Sequence, residues 1–323
     1  MAVVTSVRVV ASRLWRTDRP LTGSAVVMLG ALVGFLVGMA LDPRVITGAP
    51  AWLKPAKFAA STAIYMFTLA WVFTYLSDWP RVRRLVSWAS ATIFVAEVGV
   101  IALQAWRGTT SHFNFSTPLD AALFSFMGAA ILIQTILSVL VAVALWRQPF
   151  QDRALGWALR LGLVITIIGA STGGLMTRPT ETQLAQIAAT RQMSIVGAHT
   201  VGAPDGGPGL PGTGWSLEHG DLRVPHFLGL HALQILPALA WLSWRRRIAD
   251  ARRARLIVVA AASYAGLFLI LLVQALRGQA LVSPDGMTLA ALVVWAVVTA
   301  VAAWPFRARP AADSDAALNW INP

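Results

Sequence analysis

Eight apolar runs, at roughly 22–41, 58–76, 85–106, 119–146, 161–177, 226–244, 256–275 and 287–304, limit what this chain can fold into. A hydrocarbon core about 30 Å thick is spanned by about 20 apolar residues in a helix. Lipid offers no hydrogen-bond partner, so each run has to satisfy its own backbone, which only a helix or a closed barrel does. Runs of this length are helical. The expected fold class is therefore an all-α integral membrane protein with about eight transmembrane helices.

The charges agree with that reading. Only 12% of the 323 residues are charged and 57% are hydrophobic, against about 25% charged in a soluble domain; mean hydropathy is +0.65. Of the 26 Arg and Lys residues, only Arg44, Lys54, Lys57, Arg107, Arg178, Arg191, Arg223 and Arg277 fall between alternate runs on the poorer side. The other eighteen share the side of residues 1–20. The positive-inside rule then places both termini in the cytoplasm: a basic stretch at 1–20 and a tail at 305–323. The net charge of +12 has its natural partner in membrane lipid headgroups, and with no separate basic domain there is no case for nucleic acid. The first run exceeds the ~7–15 residues of a signal-peptide core, so it reads as a retained span. Arg in place of Lys at nearly every position fits a GC-rich bacterial genome, hence a bacterial inner membrane. The absence of cysteine excludes disulfides, thiolate ligands and thiol nucleophiles.

An internal repeat organises the runs. Gln104-Ala-Trp-Arg107-Gly108 recurs as Gln274-Ala-Leu-Arg277-Gly278, 170 residues on. Leu69-Ala70-Trp71 recurs as Leu239-Ala240-Trp241, and Ala121-Ala122-Leu123 as Ala290-Ala291-Leu292 one residue out of step. The matches keep their order, which predicts two parallel four-helix units, 21–146 and 147–304, the second carrying a long outer loop at 178–225. Small-residue spacings at Gly30/Gly34/Gly38 and Gly169/Gly173 predict close helix packing.

Candidate chemistry lies on the outer half. Glu97 sits well inside the third run, where an ionisable group is costly and needs a partner or a function. Gln104 shares its face and Arg107 flanks it. The segment 108–120 supplies His112 and Asn114 among hydroxyls, as readily a capped turn as a site. In the long loop, 181–192 reads as a short amphipathic helix. His199 and Asp205 follow in a Gly/Pro-rich stretch without the Gly-Lys-Ser/Thr of a nucleotide loop. Asp221, Arg223, His226 and His231 then open the sixth run. His226 and His231 are five residues apart, not the i,i+4 spacing of a metal clamp. If a metal were bound, His112, His226 and His231 would be its ligands; no cofactor is specified. Retinal is disfavoured because Lys54 and Lys57 lie at a boundary.

The motifs KPAKF, QAWRG, SHFN, HTVG, DGGPGLP, GDLRVPHF and HALQ resemble a family of bacterial multi-pass membrane proteins whose function is not established. That resemblance covers roughly residues 50–235 and implies no catalytic residues. The two-times-four-helix plan also resembles haem A synthase. This chain lacks that family's paired intramembrane histidines followed by arginine, so the likeness is one of architecture. Two functions fit. One is a membrane-embedded enzyme or cofactor-binding protein acting on a lipid or amphiphile, with Glu97, His112, His226 and His231 doing acid–base work and Gln104, Arg107, Asn114, His199, Asp205, Asp221 and Arg223 binding. The other is a small-molecule or proton-coupled transporter; a non-catalytic assembly protein is a third class.

Overall fold

The computed structural model describes residues 2–192, 194–246 and 248–306. Arg307, Arg309 and the rest of the expected tail lie outside the described residues. The protein is an all-α multi-pass membrane protein. Among the described residues seven helices are long and apolar enough to cross a membrane, and a bent pair supplies an eighth.

Two compact units divide the chain. Unit 1 is Met1–Ala144 with Pro179–Gly197, and unit 2 is Leu145–Arg178 with Ala198–Pro323. Unit 1 holds α1 (Ala2–Thr17), α2 (Arg19–Leu41), the strands β1 (Val45–Ile46) and β2 (Ala49–Pro50), α3 (Leu53–Val72) and α4 (Pro80–Trp106). It also takes most of α5 (Pro118–Arg147), and α8 (Glu181–Thr190). Unit 2 holds α6 (Arg153–Ser171), α7 (Gly173–Met176), β3 (Thr200–Val201), β4 (Gly220–Asp221), α9 (Arg223–Leu230), α10 (Ala232–Arg245), α11 (Asp250–Leu276) and α12 (Gly286–Ala303). The long loop is thus shared. Its amphipathic part becomes α8, opened by a reciprocal Thr180/Gln183 capping box, and belongs with unit 1.

Two helices, α2 and α6, begin at aspartate caps rather than where the apolar runs begin. Asp18 accepts from the Leu21 N–H at 3.0 Å, so α2 starts at Arg19. Asp152 does the same for Leu155 at 3.0 Å and starts α6 eight residues before the expected 161. Arg160 is thereby carried into the helix. Its guanidinium lies over the rings of Trp146, Phe150 and Trp157 and donates to the carbonyls of Leu145 and Gln148. These contacts settle a charge that the apolar count would have kept outside. Likewise α3 starts at Leu53, so Lys54 and Lys57 lie in its first turns.

In unit 1, α2, α3 and α4 pack on one another around Leu21, Met66, Leu69, Phe73 and Ile101. In unit 2, α6 packs against α9, α10 and α11 around Leu159, Leu163, Leu233, Leu236 and Ile257. The remaining faces carry exposed Val, Leu and Ile, such as Val33, Leu132, Val293 and Val298, as lipid-facing helices do. The glycine expectation holds in part. A Cβ at Gly38 would meet the Trp52 ring at 3.0 Å, and one at Gly169 would fall on the Gly229 backbone. Gly30 and Gly34 have nothing within 4 Å, so the stripe on α2 is a contact at one end only.

The two copies of the QAxRG segment share a local geometry. At the end of α4 the Gln104 side chain donates to the Thr110 carbonyl at 3.4 Å; at the end of α11 Gln274 donates to the Ala280 carbonyl at 2.8 Å. Gly108 and Gly278 both take positive φ, 76° and 72°, which glycine adopts without a Cβ penalty. Arg107 then pairs with Asp120 at 2.6 Å in the first turn of α5, and Arg277 pairs with Asp285, the N-cap of α12. At the opposite end, each first span is capped by an aspartate that also faces the third helix. Asp18 accepts from Ser87 and feels the charge of Arg83. Asp152 pairs with Arg253 at 2.7 Å, and Arg253 is the residue 170 positions after Arg83.

Candidate functional site

Most of the expected polar residues of unit 1 are occupied in holding its turn. Asp120, buried at the start of α5, accepts from Gln104 at 2.8 Å, Arg107 at 2.6 Å and Thr117 at 2.6 Å. Asn114 donates to Thr109 Oγ1 at 2.9 Å and to the Thr110 carbonyl at 3.0 Å, and accepts from the Ser116 N–H. Gln104 and Asn114 therefore meet at Thr110. His112 hydrogen-bonds Ser111 at 3.0 Å within ring contact of Phe58, Phe113 and Phe124. Phe113 has φ 62°, a strained value for a bulky residue. The chain before and after it is held by 194–196, through Phe115 N–H to Ser194 O and Val196 N–H to Phe113 O.

Glu97 is different. It is 3% exposed, and its Oε2 has no hydrogen-bond partner among the described residues. The charge acting on it is Lys54, from the first turn of α3. A buried carboxylate with an unsatisfied oxygen is costly and is the kind of group that a proton or a ligand completes. Ser87, Ser90, Glu97 and Gln104, spaced by three and seven residues, share the buried face of α4. Ser90 Oγ, Thr22 Oγ1 and Gln134 Oε1 are also buried without a partner. Level with the gap between Ser90 and Glu97, Tyr65 meets the Phe94 ring edge-on. Its hydroxyl lies 3.3 Å from both Ser138 and Gln134.

In unit 2 the expected residues form three groupings. His199 Nδ1 lies 2.6 Å from Asp205, which also accepts the backbone N–H groups of His199 and Thr200. Burial pushes the Asp205 carboxyl up, but His199 and these N–H donors outweigh it and hold it well below the usual carboxylate range. Asp221 receives a two-pronged bond from Arg223, at 2.9 and 2.6 Å, together with the Ser216 N–H at 2.8 Å. The Arg223 guanidinium goes on to the Gly214 carbonyl. Gly220 lies so close to the Ala275 carbonyl that no side chain would fit. The Gly/Pro-rich stretch is thus an ordered structure seated on the end of α11.

The third grouping is a break in the sixth span, expected to be one helix over 226–244. It is two helices, α9 and α10, bent by 45° with His231 between them. The cause lies on α6. The Gly162 and Gly169 positions bring its backbone against Ala232 and Gly229. Between them Thr166 accepts the Leu233 N–H at 3.2 Å and donates to the Leu230 carbonyl at 3.3 Å. Its hydroxyl stands in for the interrupted helix ladder. Tyr264 donates to the Leu228 carbonyl. His226 Nδ1, 2.8 Å from the Gly169 carbonyl, must carry the proton there, leaving Nε2 as an acceptor. His199 is near enough to His226 to act on it electrostatically, and Phe227 is in ring contact with both His226 and His231.

Among the described residues no three His, Asp or Glu side chains gather as a metal site would require. Three elements went unread in the sequence: the Asp42–Arg44 pair at 2.6 Å, the Asp152–Arg253 pair and the Thr166 insertion. Asp42-Pro-Arg44 was legible in principle, since it repeats the spacing of Asp221-Leu-Arg223. No family model, no curated protein and no solved structure matches the chain, so its function is read from the chemistry of its own residues.

Proposed function

We propose that this chain is a proton-coupled transporter of the bacterial inner membrane, with both termini in the cytoplasm and Glu97 as the carboxylate that takes up and releases the proton. The observation that carries this reading is the unpartnered Oε2 of Glu97, buried inside a spanning helix. Intramembrane carboxylates recur in proton relays. Two other features are friendly to transport: the four-helix repeat, and a spanning helix broken where a neighbour re-satisfies its backbone. The cargo belongs to a small-molecule or amphiphile class, and the surrounding partners are membrane lipids.

Reconstituted liposomes with an entrapped pH dye, driven by a potassium diffusion potential, test this. The wild type is expected to carry protons and Glu97→Gln to lose at least tenfold of the flux. Equal flux in both, or none in either, would contradict it. A second reading, an enzyme or cofactor-binding protein acting on a lipid, draws on His226 and His231 at the α9–α10 break. In that case absorbance or lipid turnover, rather than proton flux, would respond to His231→Ala.

A further inference from the structure

Two helices of unit 1 carry matched, unsatisfied hydroxyls. Asp18, at the N-terminus of α2, is bonded to Ser87 of α4, and this pins the two helices at a known register. One turn further along α2 stands Thr22, and one turn further along α4 stands Ser90. Thr22 is 3% exposed and Ser90 0%, and neither hydroxyl has a hydrogen-bond partner among the described residues. From Ser90 it is roughly 10 Å along α4 to Glu97, at 1.5 Å per residue. Between them in sequence, Phe94 meets the ring of Tyr65 from α3, whose hydroxyl accepts from Gln134 of α5, with Gln134 Oε1 again unpartnered.

A buried polar atom left unpaired costs about 1–3 kcal/mol. Several together, roomy enough and polar on more than one side, are the setting in which internal water is held. At the other end of this stretch Gln104, Arg107 and Asp120 bond one another and close the face. The charged groups at its limits are Lys54 beside Glu97 and Asp18 with Arg83 at the far corner.

We infer that unit 1 holds a file of water molecules along the buried face of α4, on Thr22 of α2, Ser90 of α4 and Gln134 of α5, giving Glu97 its proton access from the end where α2 and α4 have their N-termini. This rests on the reading of Glu97 as the proton carrier, and it adds the route and its direction. Unit 2 provides the internal control. The positions 170 residues after Ser87, Ser90 and Glu97 are Ile257, Ala260 and Leu267, so α11 has no polar group at those three places.

The chain has no cysteine, so single cysteines report without background. Ser90→Cys, Thr22→Cys and Ala260→Cys would each be prepared in the full-length protein in vesicles of either orientation. Each would receive a short pulse of silver ion, and thiols still free would be counted with a maleimide dye after denaturation. Silver is expected to block Ser90→Cys and Thr22→Cys at least tenfold faster than Ala260→Cys. The blocking is expected to be faster when silver is added on the side of the α2 and α4 N-termini. Equal rates at positions 90 and 260, or faster blocking from the opposite side, would overturn the inference. The readout needs no transport. A dry Ser90 with Glu97-dependent proton flux would sink the route alone; a wet Ser90 without flux would sink the transporter reading alone.

Discussion

The third helices of the two units begin and end alike and differ in between. α4 and α11 each finish in a Gln–Arg–Gly turn with the same hydrogen bond from Gln to the carbonyl six residues on. Each places Arg83 or Arg253 near the capping aspartate of the first span. Between these ends α4 buries Ser87, Ser90 and Glu97, whereas α11 has Ile257, Ala260 and Leu267. The ends keep the architecture and the middle distinguishes the units: α4 buries two serines and a glutamate where α11 carries aliphatic residues, with a broken span beside it.

Four predictions, two of them with a paired control, sharpen that contrast. The largest expected effect is Arg253→Met. It strands Asp152 in a buried corner, where breaking an ion pair costs about 3–5 kcal/mol, read as a lowered unfolding midpoint in detergent. Arg83→Met in unit 1 should cost visibly less, because Asp18 keeps its bond to Ser87. An equal loss at both positions would break the comparison.

Next is Gly169→Val, whose side chain would fall on the Gly229 backbone. Overpacking of this kind costs about 1–3 kcal/mol or more, while Gly34→Val, with open space around it, should be neutral in the same melt.

Asp205→Asn follows. Losing charge-assisted bonds is expected to cost about 1.5–3 kcal/mol locally, seen as faster amide exchange across 198–221 with the helices unchanged. The wild-type loop has a matching pH signature. A carboxyl lowered on folding stabilises fully above its unfolded pKa and gives that stability up as pH falls through the folded value. Protection of 198–221 should therefore persist below the ordinary carboxylate range, and loss of protection at mildly acidic pH would argue against it.

The smallest expected effect is Thr166→Val, which removes two neutral hydrogen bonds and uncaps the helix break. With both Thr166 bonds gone, to the Leu233 N–H and to the Leu230 carbonyl, it should cost about 1–2 kcal/mol and speed exchange at Leu233 specifically.

What the sequence disclosed follows from the kind of force involved. Burial in lipid acts on every residue of a 20-residue run, so the spans and the repeated QAxRG turn could be read directly. The expected starts of α3, α4, α6 and α11 fell late; at α6 the reason is the Asp152 cap and an arginine settled on aromatic rings, which outweigh the local apolar count. The break at His231 was hidden because it is made by Thr166, some 65 residues away in sequence, and no local pattern encodes it. Among candidate residues, Glu97 stood out by its depth alone. The polar segment 104–120 looked like a site for the same reason that it makes a good turn: Gln104, Arg107 and Asp120 are consumed by one another, and Asn114 by Thr109, Thr110 and Ser116.

Infrared difference spectroscopy of the full-length protein in lipid, across pH and in H2O against D2O, tests most directly whether unit 1 holds a carboxylate open to proton exchange. A carboxylic C=O band that comes and goes with pH, shifts promptly in D2O and disappears in Glu97→Gln is the expected result. A spectrum of Glu97→Gln identical to the wild type, or a Glu97 band that does not respond to D2O, would contradict it.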